Sequence, residues 1–226
     1  MTVLRKQSLV LIIVSLLIAT AIIAIVADDW LNRSMSQTPI PLPSGEVRSY
    51  NGTNLSSISN IYDNAIAGTQ NINISNYHLA INGLVNQTIQ LSYNDVIDNH
   101  QIYQKVVTLY CVEGWSATIL WEGVLVKDLI QEAGPNPNAT TVIFHAADGY
   151  TTALPLNYIV NNNILLAYKM NGVVIPTQKG FPFQLVAESK YGYKWIKWIT
   201  SIELSNNTSY LGYWESRGYS NDAPVP

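Results

Sequence analysis

TLYCVEGWSATILWEGVLVKDLI, Thr108–Ile130, decides how this 226-residue chain is read. Upstream of it, QIYQKVVTLY (101–110) is β-branched and aromatic, the composition of a strand. That strand delivers Cys111 at its C-terminal end. Downstream, GVLVKDLIQEA (123–133) spaces Val124, Leu125, Leu129 and Ile130 to share one helical face, and Gly134-Pro135 ends the run. Cys111 is the only cysteine in the chain. No disulfide can close within one molecule, so the thiol is either a small buried hydrophobe or a functional group.

On either side the pattern is mostly of period two. YHLAING (77–83) and TIQLSY (88–93) alternate about a turn near Gly83, and Asp95–Asn99 reads as a short helix. TVIFHAADGYTTALPL (141–156) reads as two strands about Asp148-Gly149, a strong hairpin signal. A short helix is expected over Pro155–Val160, with proline near its start. ILLAYKMNGVVIP, FPFQLVAE and WIKWITSIEL supply further strands. The fold class is α+β, with mixed, largely antiparallel sheets and short helices. Neither a P-loop nor GxGxxG is present, which disfavours nucleotide folds.

Residues 1–8 read as a cytoplasmic stub, and 9–27, LVLIIVSLLIATAIIAIVA, as a transmembrane anchor without internal charge. Nineteen residues at 1.5 Å each span about 28 Å, close to the ~30 Å hydrocarbon core. Arg5 and Lys6 before it and Asp28 and Asp29 after it place the rest outside the cytoplasm, in a protein held to the cell membrane by a single pass. A cleaved signal peptide is the competing reading. Residues 28–57, with Pro39, Pro41 and Pro43, read as a flexible extracytoplasmic linker, leaving 58–226 as the functional domain. Charged residues make up 12% of the chain and the net charge is −3. No basic run exists to hold nucleic acid.

Three groups are candidates for chemistry. Outside the cytoplasm a free thiol is a liability, so Cys111 asks for a purpose. His78, His100 and His145 lack the context of a cysteine protease or the spacing of a zinc site, which leaves open a soft thiolate holding a metal whose other ligands come from a cofactor. KYGYKWIKW (190–198) gathers Lys190, Lys194 and Lys197, with Lys179 upstream; it is either a strand with a solvated lysine face or a site for an anion such as phosphate. Glu113, among apolar and aromatic neighbours in CVEGW, is expected to have its pKa raised by burial and so to serve as a proton donor.

TLYCVEGWSATILWEGVLVKDLI, FHAADGYTTALPL, LAYKMNGVVIPTQKGFPFQLV, KYGYKWIKWITSIEL and GYWESRGYS, in this order over about 58–221, resemble the oxidoreductase molybdopterin-binding domain of the sulfite oxidase superfamily. Cys-Val-Glu-x-Trp resembles the branch containing the catalytic subunit of periplasmic methionine-sulfoxide reductase more than true sulfite oxidases. The resemblance implies a molybdenum centre with Cys111 as the protein's ligand and one molybdopterin supplying a dithiolene. It implies oxygen-atom transfer, with Glu113 in a proton relay. Carried over residue by residue, cofactor contacts fall on His145 and Ala146, on Trp195, Ile196 and Lys197, and loosely on Asn60, Tyr62 and Asn64. Ala146 lacks the family's hydroxyl, Lys179 stands where Asn or His is customary, and Gln184 replaces an arginine that would clamp phosphate. Lys179 and Lys194 are expected to restore that positive charge. The implied partners are a small-molecule substrate, with S- and N-oxides as candidates, and a separate membrane or extracytoplasmic electron carrier. A cofactor-free domain kept as a binding or structural subunit of a membrane respiratory complex is the alternative.

Overall fold

The computed structural model describes residues 45–225. The stub (1–8) and anchor (9–27) expected from the sequence, and the first part of the expected linker, lie outside them. Among the described residues, no helix is long and apolar enough to cross a membrane.

The first large sheet is built around the quoted stretch. Strand β5 (Tyr103–Tyr110) and β6 (Ser116–Leu125) form a hairpin with Tyr110 opposite Ser116. On its other edge β6 pairs with β9 (Leu165–Met170), which carries β10 (Val173–Val174) and β11 (Gln184–Val186). All these pairings are antiparallel. Gly123 is required at the β6–β9 contact, since any Cβ there would drive into the carbonyl of Leu166. Gly123→Ala is therefore expected to destabilise the domain by roughly 3 kcal/mol or more, measured by chemical denaturation.

The second sheet runs in the order β4 (Ile89–Ser92), β3 (His78–Gly83), β12 (Ile199–Ser205), β7 (Thr141–Ala146) and β8 (Thr151–Pro155). Its β3–β12 pair is parallel and the rest are antiparallel. Leu79 and Ile81 of β3 are fully buried while His78 and Gly83 are exposed, so the period-two pattern was a true guide to this strand. Three short helices complete the domain: α1 (Tyr93–Asp98), α2 (Val126–Ala133) and α3 (Leu156–Asn161). Ser92 and Asp95 cap α1 reciprocally. One apolar cluster draws on both sheets, with Ile119, Trp121 and Val124 from the first and Ile81, Phe144 and Ile202 from the second.

Three local readings change. The helix expected from Gly123 starts at Val126, because Gly123, Val124 and Leu125 are held in the ladder opposite Ala167, Leu166 and Leu165. The segment KYGYKWIKW is not a strand. It forms a 3-10 turn at Gly192–Lys194, and its later backbone makes only isolated bonds, to β11 and to a turn: Leu185 N–H donates to the Ile196 carbonyl and Trp198 N–H to that of Gly180. The linker drawn to residue 57 ends earlier, in a small antiparallel ribbon of β1 (Ser49–Tyr50) and β2 (Thr53–Asn54). Leu55 and Ser57 are buried, and the Glu46 carboxylate accepts hydrogen bonds from Ile58 N–H and the Asn171 side chain. Those bonds fasten residues 46–57 to the domain.

Candidate active site

The β5–β6 hairpin closes through Cys111–Trp115. Cys111 N–H donates to the Trp115 carbonyl at 2.9 Å and Gly114 N–H to that of Cys111 at 3.1 Å. Gly114 has φ +89°, a left-handed conformation suited to glycine. This five-residue loop sets Cys111, half-buried, at a cleft of ≈ 450 Å³.

Glu113 organises the loop. Its Oε2 accepts from Trp115 Nε1 at 3.0 Å, from Asn64 Nδ2 at 3.3 Å and from the Cys111 thiol at 3.6 Å. Tyr62 packs on the Trp115 ring with centroids 5.4 Å apart. The expected raising of the Glu113 pKa is reversed: the side chain is exposed, and the Trp115 hydrogen bond leads the contacts that hold its carboxyl below the usual range. Burial pushes the Cys111 thiol up, and the Glu113 charge adds to this.

The lysines divide. Lys197 lines the cleft, its Nζ 3.2 Å from the Gln178 carbonyl and 4.2 Å from the Trp198 ring centroid. Its alkyl stem passes Gly180, where a Cβ would lie 2.9 Å from its own Cβ, so glycine there makes room for it. Burial lowers its pKa to about 8. A lysine depressed in the folded state weakens folding below that pKa, and the penalty fades as pH rises toward the unfolded value near 10.4. The cofactor-free protein is therefore expected to gain, from this residue, stability between about pH 8 and 10 that Lys197→Met does not show. Denaturation of the two proteins side by side across that range measures it.

Lys179 and Lys194 do not supply free charge. Lys179 is 2% exposed and donates to the Ile61 carbonyl and, at 2.6 Å, to Asp63. Lys194 is fully buried and donates to Glu215 Oε1 at 2.5 Å, the Ala153 carbonyl at 3.0 Å and Asn221 Oδ1 at 3.1 Å. A buried ammonium has to be paired, and both found partners within the protein.

Tyr62, Asn64, Gln184, Trp195, Ile196 and Lys197 line the same cleft as Cys111 and Glu113. Gln184 is buried on β11, and Trp195 is fixed by its Nε1 bond to the Lys190 carbonyl at 2.9 Å. Asn60, His145, Ala146, Lys179 and Lys194 are not in the lining. His145 Nε2 instead pairs with Glu203 at 2.8 Å, and Ala146 N–H donates to the Tyr150 carbonyl at the β7–β8 turn. Cleft residues to which the sequence gave no chemical role include Asp63, Asp148 and an aromatic group, Tyr150, Tyr193, Trp214 and Tyr219. For Trp214 and Tyr219 the one legible signal was the density of rings in GYWESRGYS. Among the described residues, no three His, Cys, Asp or Glu side chains gather to hold a metal ion.

The solitary Cys111 at the end of a strand hairpin and the partly buried Lys197 line one cleft of a two-sheet α+β domain. The oxidoreductase molybdopterin-binding domain matches residues 66–214, and the chain belongs to that family, in the sulfite oxidase superfamily. It is a molybdopterin-dependent oxidoreductase. It is 35% identical over 147 residues to the uncharacterized oxidoreductase YuiH of Bacillus subtilis, covering 65% of this chain and 73% of that one. It is 34% identical over 143 residues to the protein-methionine-sulfoxide reductase catalytic subunit MsrP of Gluconobacter oxydans, covering 56% of this chain and 46% of that one. The fold matches the sulfane dehydrogenase SoxCD of Paracoccus pantotrophus with a TM-score of 0.60 at 18% identity, over 76% of this chain and 50% of that one. The chain thus spans about half of these last two proteins.

Proposed function

We propose that this is a membrane-anchored, extracytoplasmic enzyme that removes an oxygen atom from a small, uncharged S- or N-oxide, with Cys111 as the protein's molybdenum ligand. The observation that carries the proposal is the cleft itself, which brings Cys111, Glu113 and Lys197 together. The residues suit the cofactor: one soft sulfur donor for the metal, a cation at Lys197 for an anionic tail, and the neutral Gln184 beside it. An anion at Lys197 would also relieve the cost of burying that amine. The anchor rests on the apolar run 9–27 and the charges flanking it.

When bound, molybdopterin with its molybdenum supplies two-electron redox chemistry and oxygen-atom transfer. The rest falls to the chain. Reducing a sulfoxide to its sulfide breaks the sulfur–oxygen bond and releases the oxygen as water, which consumes two protons and two electrons. Glu113 stands between solvent and cleft, and its Oε2 is positioned to carry protons, held in place by Trp115 and Asn64. Tyr62 packs on Trp115, the residue that holds Glu113 in place. Electrons come from a separate carrier.

Charge favours a neutral substrate. With Asp63 neutralised by Lys179, Glu113 and Asp148 line the cleft against Lys197 alone, a poor setting for a small anionic substrate such as sulfite. Arg217 is not in the lining; it donates to the Tyr213 carbonyl at 2.6 Å and stacks 3.6 Å from that ring's centroid. The test uses holoprotein purified from its native host. Reduced viologen is expected to drive reduction of methyl phenyl sulfoxide or trimethylamine N-oxide. Faster oxidation of sulfite with ferricyanide would overturn the reading.

A further inference from the structure

Lys194 and Glu215 form an ion pair with both side chains at 0% exposure. Glu215 Oε1 also accepts from Thr152 Oγ1 at 2.6 Å, while Oε2 is buried without a partner among the described residues. Such a pair is a poor source of stability, because the cost of burying two charges rivals their attraction. Its best-attested use is to enforce one register over others.

The sequence neighbours show which register is at stake. Tyr193 and Trp195, on either side of Lys194, line the cleft, and so does Trp214, next to Glu215. Trp214 and Tyr219 come from a segment beyond β12, the last strand, held by a 3-10 turn at Glu215–Arg217 and so without a sheet ladder to fix it. Gly212 lies so close to β8 that a Cβ would strike the Thr151 carbonyl, and Tyr213 N–H donates to that carbonyl at 2.9 Å. Tyr193 OH donates to the Ser220 carbonyl at 2.9 Å, and the Tyr219 ring stands 5.2 Å from both the Tyr193 and Trp214 rings. The ion pair joins the Tyr193 turn, β8 and this segment at one point.

We propose that Lys194 and Glu215 are positioning residues for substrate: their buried pair sets Trp214 and Tyr219 as the cleft's aromatic wall, which grips the apolar, non-reacting part of an uncharged oxide. The flat faces of these rings suit an apolar or aromatic flank. The substrate half of this rests on the function proposed above; the register half does not.

The test replaces both charges with apolar groups, Lys194→Met with Glu215→Leu, so that no lone buried charge remains. In holoprotein with unchanged molybdenum content, KM for methyl phenyl sulfoxide is expected to rise about tenfold with kcat little altered. Trp214→Ala is expected to do the same, and combining it with the double replacement to add little, the mark of residues acting as one unit. Independent, additive effects overturn the proposal, as does a loss of molybdenum that tracks the loss of activity. A second reading needs no turnover. The acrylamide quenching of each protein minus that of its Trp214→Phe counterpart isolates Trp214, and removing the ion pair is expected to raise it. Unchanged quenching sinks the register half whatever the substrate. Raised quenching in a protein that reduces no sulfoxide supports the register and counts against the oxide.

Discussion

Cys111→Ser is expected to fold normally, to contain almost no molybdenum, and to lose activity by more than about a hundredfold, since losing a metal ligand should exceed the 10–100-fold cost of losing a ligand's supporting contact. The fold survives because what shapes the loop is backbone. The bonds between Cys111 and Trp115 and between Gly114 and Cys111 involve main-chain atoms only, and serine is close in size to cysteine. The metal is lost because a serine hydroxyl ionises far less readily than a thiol and is a harder donor, ill-matched to a soft thiolate site. No third acidic, imidazole or thiol group gathers with Cys111 among the described residues to take over. Elemental analysis of wild type and variant, with pterin fluorescence alongside, decides it. A metal-free wild type, or a variant with full molybdenum, would refute the assignment of Cys111.

Breaking the Lys194–Glu215 pair from one side gives the second large effect. Glu215→Ala leaves an ammonium at 0% exposure without its carboxylate, and Lys194→Ala leaves the reverse. Each single variant is expected to cost about 3–5 kcal/mol, while Lys194→Met with Glu215→Leu stays within about 1 kcal/mol of wild type. The asymmetry has a physical cause: a lone buried charge keeps its desolvation cost after its attraction is gone, whereas removing both cancels the two together. Burial already lowers the Lys194 pKa, and Glu215 is the contact that most opposes this. Denaturant titrations of the cofactor-free proteins measure all three. Single variants as stable as the double would mean that the site admits water or relaxes around the orphan.

Much of the fold was legible because the responsible patterns are local. Alternation in YHLAING and the Asp148-Gly149 turn specified a strand and a hairpin that the tertiary structure keeps, with Gly149 at φ +83°. Proline opened α3 and Gly134 closed α2 in the left-handed conformation, as those residue types do in general. The failures came where non-local contacts decided. GVLVKDLIQEA has helical spacing throughout, yet its first three residues are in β6 because β9 offers them a ladder. Nothing within eleven residues encodes that ladder.

The site divides the same way. By itself the sequence determined that one thiol exists, that it ends a strand beside a glutamate, and that the surrounding blocks belong to a molybdopterin-binding family, since these depend only on residue order. The work of each charge was left to the tertiary structure. Lys179, Lys194 and Lys197 look alike in the chain, but the first meets Asp63 across 116 positions, the second meets Glu215 across 21, and the third is left facing the cleft. Glu113, expected to be buried and protonated, is exposed and held as a carboxylate by Trp115 and Asn64, the latter 49 positions away. A charge in a protein is governed by what lies within a few ångströms of it and by how much water remains there, and folding alone sets both.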